Sequence, residues 1–299
     1  MKYKELVCSL LGCLLVSSIG LSVSAARAAE ASDERPDGEI RLLVRADDIG
    51  SCHAANLACI KSYREGIVRT VEVMVPCPWF NEAVKMLREN PGLDVGVHLT
   101  LTSEWQYYKW GPITAAPSLV DRQGHYHPMT RQRSDFPPNT AFLHAKLRME
   151  EVEKELRAQI ELAKQNIPNI SHLSCHMGTA TSTPQLRALV KRLSEEYKLP
   201  VETPGAKHVP GFAGGGKATA EQMEATLAKT LEKLEPGVWI LVEHPGLDTP
   251  EMQVMGHIGY WNVAAHRDGV TKAFTSEKVK RVIESRGIKL VSYRDILSD

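Results

Sequence analysis

The chain has 299 residues, 36 of them basic and 36 acidic, so its formal net charge is zero. That balance gives no electrostatic footprint for a nucleic-acid partner. The length suits one large α/β domain or two small ones.

Residues 1–28 have the layout of a secretory leader, with Lys2 and Lys4 ahead of an apolar stretch and small residues around an expected cleavage point after Ala28. The apolar stretch is about long enough for a leader core and is rich in Ser and Gly, so no stable membrane anchor is expected. The mature chain is therefore expected to be periplasmic or secreted, with a short linker at 29–38 and a single domain at 39–299. Four cysteines lie beyond the leader: Cys52, Cys59, Cys77 and Cys175. In an oxidising compartment they admit three pairings, and four buried thiols fit the sequence equally well.

From residue 39 onward, apolar strand-like runs alternate with helical patterns. The chain reads as strand 39–47, helix 53–66, strand 69–76, helix 79–92 and strand 93–101. A long irregular section, 102–141, is rich in Trp, Tyr, Pro and His. Then come helix 143–166, strand 170–176, and helix 183–197 with Thr183 as its cap and Pro184 at its first position. A short strand 199–203, a glycine-rich loop, helix 220–237 and strand 238–246 follow. After another loop the chain ends in helix 276–287 and strand 288–293. Parallel strands need crossover connections, so about seven strands separated by helices predict an irregular (β/α) barrel. An open doubly wound sheet is the competing architecture, but the turn after the first strand, DDIGSCHAAN, is not G-x-G-x-x-G.

Several polar residues interrupt the apolar runs at or near the C-terminal ends of strands. Asp47 and Asp48 end the first strand, His98 is near the end of the third, His176 ends the fourth and His244 the sixth. That end of an α/β barrel carries its active site, so these distant residues are expected to converge. One Asp with two or three His suits a divalent ion, Zn above all. Ligands drawn from separate strands leave room for water, as a catalytic site requires. His172 lies about 13 Å from His176 along an extended strand, too far to share one ion. The remaining histidines, among them His257 and His266, read as ordinary loop or helix residues.

The motifs ADDIG, DVGVHLTL, SHLSCHMG and EHPG, in that order, resemble those of the YdjC/ChbG family of carbohydrate deacetylases, over nearly the whole mature chain. The resemblance implies an irregular (β/α) barrel binding one divalent metal ion (Zn or Mg) and removing N-acetyl groups from amino sugars such as chitooligosaccharides. Matched motif by motif, it implies Asp48, His98 and His176 as metal ligands, Asp47 as general base and His244 as the acid. Two departures stand out. The common DDFG is DDIG here, and Ser174 stands where many relatives have Asp. Cys175, beside a ligand, is a candidate for pairing with Cys52.

An amide demands a polarised carbonyl, a deprotonated water and a protonated leaving amine, which matches those roles. The segment SEWQYYKWGP offers Trp105, Tyr107, Tyr108 and Trp110 as candidate sugar-binding rings, with a small core of the loop's own as the alternative. The expected partner is thus an N-acetylated sugar or oligosaccharide. Oligomeric state is open, a homodimer included. Rival readings are a metal-dependent hydrolase of a non-sugar amide or a phosphoester, and a catalytically silent glycan-binding protein. No Arg or Lys clamp for a phosphoester is evident beside the five site residues.

Overall fold

The computed structural model describes residues 38–298 other than 202 and 204. The expected leader and all but the last residue of the expected linker lie outside the described residues. No described helix is long and apolar enough to cross a membrane.

The strands are β1 (Ile40–Ile49), β2 (Thr70–Val73), β3 (Asp94–Leu99), β4 (Ile170–Cys175), β5 (Lys207–His208), β6 (Gly237–Glu243) and β7 (Lys289–Val291). They form one parallel sheet in the order β4-β3-β2-β1-β6-β5, with β7 also paired to β1. β6 runs along Ile40–Ala46 of β1, while β7 takes Arg41–Leu43 and β2 takes Arg45–Ile49. The curled sheet is the expected irregular (β/α) barrel in a single domain, with β4 and β5 as its edges. The described residues of the strand expected at 199–203 form no strand, although Leu173 of β4 donates its N–H to the Pro200 carbonyl at 2.9 Å.

The helices are α1 (His53–Arg64), α2 (Phe80–Arg88), α3 (Met149–Asn166), α4 (Pro184–Tyr197), α5 (Ala220–Leu231), α6 (Pro250–Gln253), α7 (Val263–Thr275), α8 (Glu277–Ser285) and α9 (Tyr293–Leu297). The Thr183 hydroxyl caps α4 as expected, by accepting from Leu186 N–H. The sequence pattern missed α7. Val263, Ala264, Arg267, Gly269, Val270, Thr271, Ala273 and Phe274 are all buried, so the polar face is narrow, carried by the Asp268–Lys272 ion pair, and marks the period weakly. Its glycine and β-branched residues also weaken the local helix signal. Section 102–141 is irregular, as expected, and α3 anchors it: Glu155 accepts from Ile113 N–H, Thr114 N–H and the Tyr126 hydroxyl.

Alternation along β1 sorts its side chains between two environments. Leu42, Val44 and Ala46 join the main core, while Leu43 packs with Ile240, Val291 and Tyr293 in a second, small cluster. Arg45 and Asp47 follow Leu43 at intervals of two, and above that cluster the inner face of the sheet turns polar. Arg45, Asp47, Glu72, His98, His172 and Ser174 meet there in one bonded network. Gly96 makes room for it, because a Cβ at that position would overlap the Glu72 carboxylate and the His172 ring.

Candidate active site

Neighbouring residues of a regular strand face opposite ways, so Asp47 and Asp48 should not reach one site. They do so because β1 leaves register with β2 between Ala46 and Ile49 and Asp48 takes a left-handed backbone, φ 75°. Such an irregularity re-aims a side chain at a cost of about 1–3 kcal/mol. As a result His98 Nε2 stands 3.7 Å from both Asp47 Oδ2 and Asp48 Oδ1. His176 follows β4 directly and brings Nδ1 to 3.4 Å from Asp48 Oδ1. One ligand atom each from Asp48, His98 and His176 lies within 4.8 Å of the others.

Each of the three is held from behind. Arg267 donates Nη2–H to Asp48 Oδ2 at 2.7 Å, which leaves Oδ1 unpartnered. His176 Nε2 is bonded to Glu104 Oε2 at 2.9 Å, which leaves Nδ1 unpartnered. His98 Nδ1 is 2.6 Å from Ser174 Oγ, which in turn donates to the Glu72 carboxylate. The hydroxyl's single proton is committed to Glu72, so His98 must donate Nδ1–H to Ser174 and keeps its lone pair on Nε2. Two orphaned buried atoms and a third lone pair, all converging, fit a divalent cation with oxygen and imidazole ligands. Arginine or carboxylate partners behind the ligands are what such centres use to orient them.

Ionisation in the protein without metal follows the same geometry. Burial opposes the charge on Asp48, yet Arg267, His176 and His244 hold its pKa well below the usual carboxylate range. Burial, with His176 adding to it, pushes His98 down to about 3, so it is neutral. Burial also works against a proton on His176, but Glu104 and Asp48 outweigh it and raise its pKa to about 10.

Asp47 is gripped by Arg45, Nε to Oδ1 at 2.8 Å and Nη2 to Oδ2 at 2.9 Å. His244 is half exposed at the end of β6, with Nδ1 3.7 Å from Glu243 Oε2. Desolvation lowers its pKa, while Glu243, Asp48 and Asp47 together raise it above the ordinary value. A cavity of about 450 Å³ opens over the cluster, within the range of small-ligand sites. Its lining includes Asp48, Glu104, Trp105, His176, His244 and Arg267.

The four aromatic candidates part company. Trp105 lines the cavity, but its ring is stacked on His257 at 5.7 Å and lies 5.2 Å from the Arg267 guanidinium. Tyr107 is exposed. Tyr108 donates its hydroxyl to the Ser51 carbonyl, and Trp110 is buried with its indole N–H on the Thr102 carbonyl. Neither of these two lines the cavity among the described residues. The loop's own small core and an open ring thus coexist.

Sequence reasoning missed Arg45, Glu72, Glu104, His257, His266 and Arg267. The first two carried a legible signal, a charge within an apolar strand. Glu104 lies past the end of β3, in the irregular section, where the strand-end rule that found His98 does not reach. Arg267 and His266 sit on the unrecognised α7, and both line the cavity, as does His257. Two arginines stand beside the site residues that the sequence reading did not place there, each bonded to one of the paired acids: Arg45 to Asp47 and Arg267 to Asp48. The four described cysteines are free, and burial raises every one of their thiol pKa values.

The pattern of the YdjC-like protein family matches residues 41–285. A carbohydrate deacetylase of Thermus thermophilus is 33% identical over 238 residues, covering 70% of this chain and 79% of that protein. One of Brevibacillus brevis is 26% identical over 272 residues, 86% of this chain and 100% of that protein. A crystal structure from Enterococcus faecalis V583, described as a cellobiose-phosphate cleavage protein, is 25% identical and superposes with a TM-score of 0.67, covering 86% of this chain and 99% of that one. With the family pattern spanning the barrel from β1 to α8, the chain belongs to the YdjC-like family.

Proposed function

We propose that this protein is a carbohydrate deacetylase, periplasmic or secreted, that hydrolyses the N-acetyl group of an amino sugar or oligosaccharide to acetate and a free amine. The observation that carries the reading is the pair of unpartnered buried atoms, Asp48 Oδ1 and His176 Nδ1, converging with His98 Nε2 beside a carboxylate, Asp47, that the ligand set leaves over. The names of the Thermus and Brevibacillus relatives support it.

Asp48, His98 and His176 would hold one divalent ion, Zn or Mg, which when bound supplies Lewis acidity toward the acetyl carbonyl and makes a water easier to deprotonate. Asp47 accepts the proton of the attacking water, its plane fixed by the two hydrogen bonds from Arg45. His244 lines the same cavity and gives a proton to the leaving amine. Arg267 keeps Asp48 ionised and oriented.

The test is acetate release from a panel of N-acetylated sugars and oligosaccharides by the metal-loaded protein and its Asp47→Asn variant. Release by the wild type and not by the variant is expected. No release from any member despite bound metal would refute the reading. Phosphoester hydrolysis is the second reading, favoured by Arg267 in the cavity and by the description of the Enterococcus relative. Phosphate release from phosphorylated sugars, without acetate release, would bring it to the front.

A further inference from the structure

Exposed large apolar side chains are not spread evenly over the described surface. Seven stand out, and five of them, Tyr107, Met177, Val254, Ile258 and Trp261, belong to the cavity lining or to segments that flank it. Scattered single exposures need no explanation, but a cluster at one mouth does. At its centre Tyr107, 72% exposed, faces Trp261, 51% exposed, with ring centroids 6.3 Å apart and planes at 36°.

The pair is held in place by backbone rather than by its own contact. Gln106 N–H donates to the Gly256 carbonyl at 2.8 Å and ties the two segments together. The Trp261 ring lies against Gly256, where any Cβ would collide with it. His257 and Tyr260 close a tight turn by exchanging backbone hydrogen bonds of 3.1 and 2.8 Å, and both their rings pack on Trp105. Trp105 lines the cavity, so two residues of one loop, separated only by Gln106, serve two places: Trp105 within, Tyr107 on the rim. Two aromatic faces left open on a fixed frame, continuous with a reaction cavity, suit a neutral ring with C–H faces.

We infer that Tyr107 and Trp261 form a stacking platform for a sugar ring linked to the one that reacts, which makes this pair a determinant of the chain length accepted. This rests on the deacetylase reading and goes further by assigning a specificity site outside the cavity. The committed occupant is the rest of the sugar chain. A second copy of this protein on the same face is the outcome to be excluded.

The test compares wild type, Trp261→Ala, Trp261→Phe and Tyr107→Ala. N-acetylglucosamine and its β-1,4-linked oligomers of up to five units are the probes. Binding is measured by calorimetry on the metal-free full chain, and kcat/KM by acetate release on the metal-loaded one. The expected result is that Trp261→Ala and Tyr107→Ala each weaken oligomer binding roughly three- to tenfold, the size of an aromatic stacking contact, and leave the monosaccharide unchanged. Trp261→Phe should retain most of the affinity. Equal losses at every chain length, or none at any, would overturn the platform even if acetate is released. A length-dependent loss of binding would uphold it even if no acetate is released, and only the deacetylase reading would then fall. Sedimentation showing a dimer that Trp261→Ala dissociates, with oligomer affinity intact, would also overturn it.

Discussion

Ser174 stands directly behind His98, and its replacement by alanine tests the ligand geometry directly. In the structure one hydroxyl joins His98 Nδ1 to Glu72 and so selects the His98 tautomer whose Nε2 lone pair faces Asp47 and Asp48. Glu72 is fit for that role: burial opposes its charge, but His172 and Arg45 hold its pKa below the usual value. The carboxylate behind His98 thus comes from β2, one hydroxyl away. Losing such a partner typically lowers metal affinity about 10–100-fold, which is about 1.4–2.7 kcal/mol. Ser174→Ala also strands a buried imidazole N–H and a carboxylate oxygen, at about 1–3 kcal/mol of stability. In a chain of this size that corresponds to roughly 2–4 °C in Tm per kcal/mol. Calorimetric Zn titration and thermal melts of wild type, Ser174→Ala, Ser174→Thr, Glu72→Gln and the Ser174→Ala/Glu72→Gln pair make the assay. Thr keeps the hydroxyl and should keep most of the affinity. Because the hydrogen-bonded path from Glu72 to His98 runs through Ser174, the double variant should lose less affinity than the sum of the two single variants. Strictly additive losses, or wild-type affinity in Ser174→Ala, would refute the relay.

Without metal, His176 has a pKa raised to about 10 and is protonated at pH 7, whereas His98 is already neutral. Binding an ion through His176 Nδ1 should therefore release one proton near neutrality, and affinity should climb by up to about tenfold per pH unit as pH rises toward 10. Calorimetry in buffers of different ionisation enthalpy counts that proton, and a count of zero contradicts the assignment. The paired acids should separate cleanly: Asp47→Asn keeps the metal and loses about 10²–10⁴-fold in turnover, while Asp48→Asn loses both. Equal metal loss in the two variants would show that Asp47 is itself a ligand. Gly96→Ala should cost about 1–3 kcal/mol by over-packing the Glu72 and His172 side chains, read from urea denaturation. An unchanged midpoint would mean the pair moves aside freely.

The strand-and-helix alternation, the parallel sheet and the strand-end positions of Asp47, Asp48, His98, His176 and His244 were legible in the sequence, because buried parallel strands are written as apolar runs and a charge inside one is conspicuous. Ser174 was legible as a departure, not as a bridge. Tertiary structure alone decided what stands behind each ligand. Arg267 reaches Asp48 across 219 positions of sequence and Glu72 reaches Ser174 across 102, and no local period encodes such meetings. α7, which carries Arg267, escaped notice because burial around most of its girth narrows its polar face to a strip with Asp268 and Lys272. The pairing of two adjacent acids in one site was decided by a backbone irregularity at Asp48, and residue identities alone do not reveal that φ is positive there.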